Sequence, residues 1–301
     1  MLLSSIAHRG DEVRVGLDWP VTPLMSRGRL YRGFDAILIP ETLRQATIAA
    51  AHLAFGVPMR EQFLMGAMRF SVVDAGFMAA GCAGAELVGR VRFDDVTYRH
   101  GVLRRARVSL VVGLLHVVAV AEAGLQCVDE VTYRRMRSRR PTLTVTPGAA
   151  AGPPVSPALV GRRSPAEVLL CELSFPDGPA DGWLLRADPS NGELFDHPVD
   201  HVPGMLQIEA CRQAALAWAA TGPGDGDCFA GCDLLFRRIV EVDEPAWCRV
   251  LPGDRHNVAV EIAPFGAPPS TLGFVTFVGA PTGRARPPAG DDSRALSEWW
   301  Q

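Results

Sequence analysis

Hydrophobic positions change period along this chain in an order that occurs twice. In residues 11–19, Val13, Val15 and Leu17 alternate with polar neighbours, the period of a half-buried strand. A polar stretch carrying Arg27, Arg29 and Arg32 reads as a loop. A helical run then opens with Pro40 as its first residue and Glu41 in its first turn, where the helix dipole favours an anion. It runs to about Phe55 and stops at Gly56 and Pro58. Strand-like stretches follow at 62–73, 85–95, 105–112, 114–123 and 128–135. One long helix and several strands make the inventory of a single sheet wrapped around a single helix.

Residues 138–160 break the pattern. They hold Pro141, Pro147, Pro153, Pro154 and Pro157 and a Gly-Ala-Ala-Ala-Gly run, and they read as a linker. The order then restarts, with strand-like residues at 166–170 and 183–187 and a helix over about 205–220 closed by Gly222-Pro223-Gly224. Strands are expected at 228–242, 246–251, 257–263 and 271–278. The division is a first unit over 1–137, the linker, a second unit over 161–280 and a flexible tail over 281–301.

Composition narrows the function classes. At 301 residues with 48% apolar and 21% charged content, the chain suits two globular domains with their own cores. All 30 basic residues are Arg, so no lysine Schiff base or lysine general base is available. A net charge of −3 offers no basic field for nucleic acid. The most apolar run, 108–121, is interrupted by His116 and is shorter than the roughly 20 residues that span a bilayer, so no membrane segment is expected. The N-terminus lacks the layout of a signal peptide. Seven dispersed Cys point to reduced thiols and a cytoplasmic protein, with Cys228 and Cys232 expected in a buried strand rather than on zinc.

The candidate chemistry lies at the two helix starts. Glu41, Arg44 and Gln45 recur as Glu209, Arg212 and Gln213, each 168 positions later. The i, i+3, i+4 spacing puts each trio on one helical face. Such a Glu–Arg pair also occurs as a local ion pair, but its repetition favours function. The two Gln are expected to hydrogen-bond across the helices or to touch substrate. Before the second helix stands His197-Pro198-Val199-Asp200-His201-Val202-Pro203-Gly204, a loop dense in His and Asp. Asp200 either caps the helix or orients a ligand, and His201 and His197 are candidate site residues. His52 reads as a satisfied core histidine, and Cys211, turned about 100° from its helix neighbour Arg212, is not read as an acyl carrier.

The string from Pro203 to Ala215, with Pro-Gly and then Glu-Ala-x-x-Gln-Ala, resembles the central helix of hotdog hydroxyacyl-thioester dehydratases. The Arg before Gln, the His-Pro-x-Asp-His loop, the duplication and Phe55-Gly56-Val57-Pro58 resemble a narrower group, the A-factor biosynthesis hotdog family of γ-butyrolactone and butenolide synthases. The resemblance implies an α+β fold of two tandem hotdog units, each a long central helix wrapped by an antiparallel sheet, packed as an internal pseudo-dimer. It implies transfer of a β-ketoacyl group from an acyl carrier protein or CoA thioester to the hydroxyl of dihydroxyacetone phosphate. The ester then cyclises to a butenolide phosphate, precursor of a signalling lactone, and no metal or redox cofactor is implied.

Two departures stand out. The second copy reads Gly161-Arg162-Arg163-Ser164-Pro165-Ala166-Glu167-Val168, with Gly161 where family members commonly have His. The dehydratases' catalytic His position, 14 residues before the helix Glu, is Phe195 here.

In this reading Glu41 or Glu209 is the general base, with His201 beside it. Arg212 and Arg44 take the phosphate, and the helix start at Gly204 polarises the thioester carbonyl. The first copy has Phe34-Asp35-Ala36 in place of Val202-Pro203-Gly204. One competent site, from the second-unit loop and both helices, and one degraded site are therefore expected. Alternatives are another hotdog thioester enzyme (dehydratase or thioesterase), or a non-catalytic protein binding an acyl chain or lactone. Whether two chains form a homodimer is left open.

Overall fold

The computed structural model describes residues 2–9, 12–26, 29–81, 84, 86–113, 115–138, 151–173, 182–189, 191, 199–220, 228–254 and 256–278. The first unit contains β1 (Leu3–Arg9), β2 (Glu12–Leu17), a hairpin of β3 (Thr22–Ser26) and β4 (Arg29–Gly33), and α1 (Leu38–Leu53). It continues with β5 (Gln62–Val72), α2 (Ala75–Ala80), β6 (Leu87–Arg99), β7 (Val102–Gly113), β8 (Val117–Val128) and α3 (Glu130–Arg137). The second unit contains β9 (Ala151–Pro154), β10 (Leu170–Leu173), β11 (Gly182–Leu185), α4 (Gly204–Ala219), β12 (Cys228–Phe236), β13 (Ala246–Val250), β14 (Asn257–Pro264) and β15 (Thr271–Val278).

Thirteen of these strands form one antiparallel sheet, in the order β1-β2-β6-β7-β8-β5-β12-β15-β14-β13-β11-β10-β9. The order reads alike outward from the β5–β12 seam, where β2, β6, β7 and β8 correspond to β11, β13, β14 and β15. Each half wraps its own helix, α1 or α4, so the molecule is the expected pair of units packed as an internal pseudo-dimer. At the seam Arg69 stands opposite Asp233 and Leu235 opposite Ala67, and Arg69 Nε donates to Asp233 at 2.9 Å.

The strands obey the period-two rule. In β2, Val13, Val15 and Leu17 are buried, and in β7, Val108, Leu110 and Val112 are, while Arg107 and Ser109 face out. The helices behave differently from each other. In α1 the buried stripe is Leu38, Ile39, Leu43, Ala46, Ala50 and Ala51. Helix α4 is buried nearly all round, including Glu209, Arg212 and Gln213. Its Ala-rich surface lets the sheet close around it, and the polar side chains drawn in must then find partners.

Several expectations are corrected. The strand expected at 128–135 is instead the end of β8 followed by α3. Asp129 accepts a hydrogen bond from the Thr132 backbone N–H at 2.7 Å, the cap that starts a helix. The Arg-bearing loop is the β3–β4 hairpin, and β1 and α2 were not anticipated. Pro40 is the third residue of α1, because the turn Leu38 N–H to Asp35 O at 3.0 Å opens the helix earlier. Residues 165–167 form a 3-10 turn closed by a Ser164–Glu167 capping box, so β10 begins only at Leu170. β12 ends at Phe236, where Arg237 and Arg238 turn their N–H groups to Ser270 O. Part of the stretch read as linker, Ala151–Pro154, adds a strand beside β10. His197 and the tail lie outside the described residues, and no described helix is long and apolar enough to cross a membrane.

Candidate functional site

The second-unit trio sits in a closed ring of charges. Glu209 Oε1 accepts from Arg162 Nε at 2.9 Å and from Gln213 Nε2 at 2.7 Å, and lies 2.6 Å from Arg162 Nη2. Arg212 Nη1 donates to Asp35 Oδ1 at 2.6 Å, and Arg212 Nε lies 3.5 Å from Glu209 Oε2. Arg162 Nη1 closes the ring 3.8 Å from Asp35 Oδ2. The Arg212 guanidinium also lies over the Phe229 ring, 5.3 Å from its centroid. Exposure is 8% for Asp35, 7% for Glu209 and 5% for Arg212, so these three are out of water, while the Arg162 side chain keeps 16% exposure. Burial pushes the Asp35 carboxyl up, but the Arg212 and Arg162 charges outweigh it and hold it below the usual carboxylate range. Glu209 Oε2 is left buried without a hydrogen-bond partner.

Asp35 belongs to the first unit, in the loop before α1, where its Oδ1 also accepts from Ile37 N–H at 3.1 Å. The loop of one unit thus reaches the helix of the other. With the 168-residue offset, the mates of Asp35 and Arg212 are Pro203 and Arg44.

The first-unit trio is more open. Arg44 Nε and Nη2 donate to the two Glu41 oxygens at 2.8 and 2.7 Å, a bidentate pair, and Gln45 Nε2 adds 2.7 Å to Oε1. Side-chain exposure is 37% for Arg44 and 23% for Glu41, against 6% for Arg212 and 9% for Glu209. Of the two arginines expected to take a phosphate, Arg44 is therefore the one within reach of solvent, while Arg212 is engaged by Asp35.

The two Gln do not hydrogen-bond to each other across the helices; each bonds within its own unit. Gln45 accepts the Leu2 N–H at 2.9 Å and Gln213 accepts the Leu169 N–H at 2.8 Å. Each thereby ties its own Glu to the start of its own unit's sheet, and Gln213 also donates to Glu167 O at 2.9 Å.

The loop before α4 carries a second constellation. His201 Nδ1 meets Asp200 Oδ1 at 2.8 Å, and among the described residues nothing hydrogen-bonds its Nε2. The Tyr133 hydroxyl donates to the same Asp200 oxygen at 2.8 Å, and Arg137 donates to Asp200 Oδ2 at 2.9 Å and to its carbonyl at 2.8 Å. Arg137 also forks onto Glu241 at 2.6 and 2.7 Å. Burial raises the Asp200 carboxyl, but the His201 and Tyr133 hydrogen bonds and the Arg137 charge hold it low, while burial and Asp200 push the Tyr133 hydroxyl up. Helix α4 starts just beyond, behind Pro203 and without a side-chain cap. Any Cβ on Gly204 would stand 2.5 Å from Met65 Cε and 3.8 Å from the Phe236 ring.

His52 is the satisfied histidine expected, with Nδ1 2.7 Å from Val57 O and its ring edge-on to Phe63. Cys211 is fully buried beside Cys248, whose thiol is pushed up by its contact with Cys211 and by burial; neither suits an acyl carrier. Among the described residues no cluster of His, Cys, Asp or Glu has the makings of a metal site. Sequence reasoning missed Asp35, Arg162, Tyr133 and Arg137 as partners. Arg162 had a signal, since it lies in the Arg-Arg-x-Pro-Ala-Glu-Val run; the others are joined to the site only by folding.

The A-factor biosynthesis hotdog domain matches residues 1–128 and 147–261. A 2-oxo-3-(phosphooxy)propyl 3-oxoalkanoate synthase from Streptomyces virginiae is 36% identical over 226 residues, 73% of this chain and 71% of that one. One of the same name from Streptomyces coelicolor is 34% identical over 251 residues, 82% of this chain and 76% of that one. Among solved structures, a 12:0-ACP thioesterase from Umbellularia californica is similar with a TM-score of 0.50 at 9% identity, covering 90% of this chain and 99% of that one; the likeness is one of fold.

Proposed function

The chain belongs to the A-factor biosynthesis hotdog family, and we propose that it joins a 3-oxoacyl group to dihydroxyacetone phosphate. The product is the ester that its relatives are named for, 2-oxo-3-(phosphooxy)propyl 3-oxoalkanoate. The observation that carries this reading is the family match across both units, which spans α1, the 199–204 loop and α4. The donor is a 3-oxoacyl thioester on a carrier protein or on coenzyme A.

The reaction site is the second-unit loop together with the face of α1 that bears Glu41 and Arg44. Two observations support it: by the 168-position offset Pro203 and Arg44 are the mates of Asp35 and Arg212, which meet across the units, and among the described residues nothing hydrogen-bonds His201 Nε2. His201 Nε2 takes the proton of the acceptor hydroxyl as its oxygen bonds to the thioester carbon. The uncapped amides at the start of α4 receive the developing oxyanion. The C–S bond then breaks, and the proton passes from His201 to the leaving sulfur. Arg44 binds the phosphate, and Glu41, held by Arg44 and Gln45, orients the acceptor. The ester's methylene lies between two carbonyls, so it condenses on the neighbouring ketone with loss of water, giving a butenolide phosphate. A second reading keeps Glu209 as the base, because its Oε2 accepts no hydrogen bond and has the Arg212 Nε 3.5 Å away.

Mass spectrometry of products from a 3-oxoacyl thioester and dihydroxyacetone phosphate tests this. We expect a phosphorylated ester or butenolide from wild type and its loss in His201→Ala, Glu41→Gln and Arg44→Ala at unchanged thermal midpoint. Glu209→Gln and Arg212→Ala should lower the midpoint as well. A Glu209→Gln protein of wild-type stability without product moves the base to Glu209. Thioester loss that ignores the acceptor overturns the transferase in favour of a hydrolase.

A further inference from the structure

The proton-accepting role of His201 depends on which ring nitrogen carries the hydrogen, and the groups that decide this lie in the other unit. Helix α3 directs Tyr133 and Arg137, four residues apart and so on one helical face, at the second-unit loop. Elsewhere α3 buries nothing in the core, so these contacts account for its placement. We propose that Tyr133 and Arg137 are positioning residues: they lock Asp200 so that His201 holds its proton on Nδ1 and offers Nε2 to the reaction.

Asp200 has two oxygens and several donors. Oδ1 takes the Tyr133 hydroxyl and His201 Nδ1, both at 2.8 Å, and Oδ2 takes Arg137 Nε at 2.9 Å. A guanidinium only donates, so the Asp200 atom facing it must be an acceptor. Arg137 is itself held by its fork on Glu241 and by the Asp200 carbonyl, which fixes the carboxylate plane. With the carboxylate fixed, His201 Nδ1 meets an ionised oxygen and must present an N–H to it. The lone pair is then left on Nε2, the logic by which a buried aspartate sets the tautomer of a catalytic histidine. Tyr133 OH also lies 3.4 Å from His201 Nδ1, so the three groups share one small space. The inference rests on the proposed proton transfer at His201, but the tautomer is readable without any substrate.

Long-range 1H–15N spectra of the full chain labelled in histidine, with the His201 signals identified by their absence in His201→Gln, give the tautomer directly. We expect the Nδ1–H form in wild type. In Asp200→Asn the new amide must turn its oxygen to Arg137 and its NH2 to His201. The ring is thereby forced to accept at Nδ1 and to carry its proton on Nε2. The expected accompaniment is a fall in kcat of about 10²- to 10⁴-fold with little change in KM, as for other histidines held in the wrong tautomer. Tyr133→Phe removes one hydroxyl from a partly exposed side chain, so it should fold as wild type and lower kcat about threefold to tenfold with KM unchanged.

An Nε2–H wild type, or an Asp200→Asn spectrum like wild type, would overturn the proposal. So would a Tyr133→Phe enzyme within twofold of wild-type kcat. If wild type makes no ester at all, the acyltransfer reading fails instead, and the spectra still decide the positioning.

Discussion

Four charged side chains from two units meet beside α4, three of them with almost no access to water. Taking each from water costs several kcal/mol, and the ring is favourable only while every member keeps its partner. Asp35→Ala would leave Arg212 buried opposite a void, and we expect a loss of about 3–5 kcal/mol in urea denaturation at neutral pH. Asp35→Asn keeps an acceptor for both Arg212 and the Ile37 N–H, and should lose less. The pH dependence follows from the lowered Asp35 pKa. Stability from this carboxylate is full above its unfolded value of about 3.9 and is lost as pH falls through the still lower folded value. Wild type should therefore steepen its loss of stability below about pH 4, and Asp35→Asn should not share that part of the loss. Equal acid profiles for the two proteins would show that the ring contributes nothing to folding. The repeated Glu-x-x-Arg-Gln string made both trios legible, because helical spacing alone puts three residues on one face. Asp35 was not legible as a partner, because its distance to Arg212 is set by how the units meet.

Among the elements, β12 is held on both edges and crosses the seam between the units. It pairs with β5 on one side and β15 on the other, and Gly273 of β15 faces it at φ 150°, a conformation that favours glycine. A Cβ there would stand 1.9 Å from the Asp233 carbonyl oxygen, backbone that cannot swing aside. Gly273→Ala is expected to cost about 1–3 kcal/mol in backbone strain alone, with further loss as the β12–β15 ladder parts. A thermal midpoint equal to wild type would refute this. Helices and most core strands were legible from period, since α1 and the strands of the first unit each bury one face. Two of the misreadings, the helices α2 and α3, have one cause. Short polar caps, at Asp74 for α2 and Asp129 for α3, start helices too brief to leave a periodic trace.

At the scale of the molecule the seam decides what is one protein and what is two. The β5–β12 ladder, the Arg69–Asp233 pair, Asp35 on Arg212 and α3 on the Asp200 loop all cross it. Residues 1–138 expressed alone would bare the edge of β5 and leave Asp35 without its arginine. We expect that fragment to self-associate or aggregate on size exclusion, as open sheet edges do, and to be recovered as a one-to-one complex when co-expressed with residues 139–301. A folded, monodisperse monomer of 1–138 would contradict the inseparability of the units.

The duplication, the helix-in-sheet character of each unit, the family resemblance and a short list of candidate Glu, Arg and His were all legible along the chain. Those are local matters of period, spacing and motif, written within a few turns of chain. Tertiary structure alone decided which trio is open and which is sealed, that Gln45 and Gln213 are anchors, and which unit lends Asp35, Tyr133 and Arg137 to the other. The reason is physical: burial and charge pairing depend on distances between residues far apart in sequence, and only the closed sheet sets those distances.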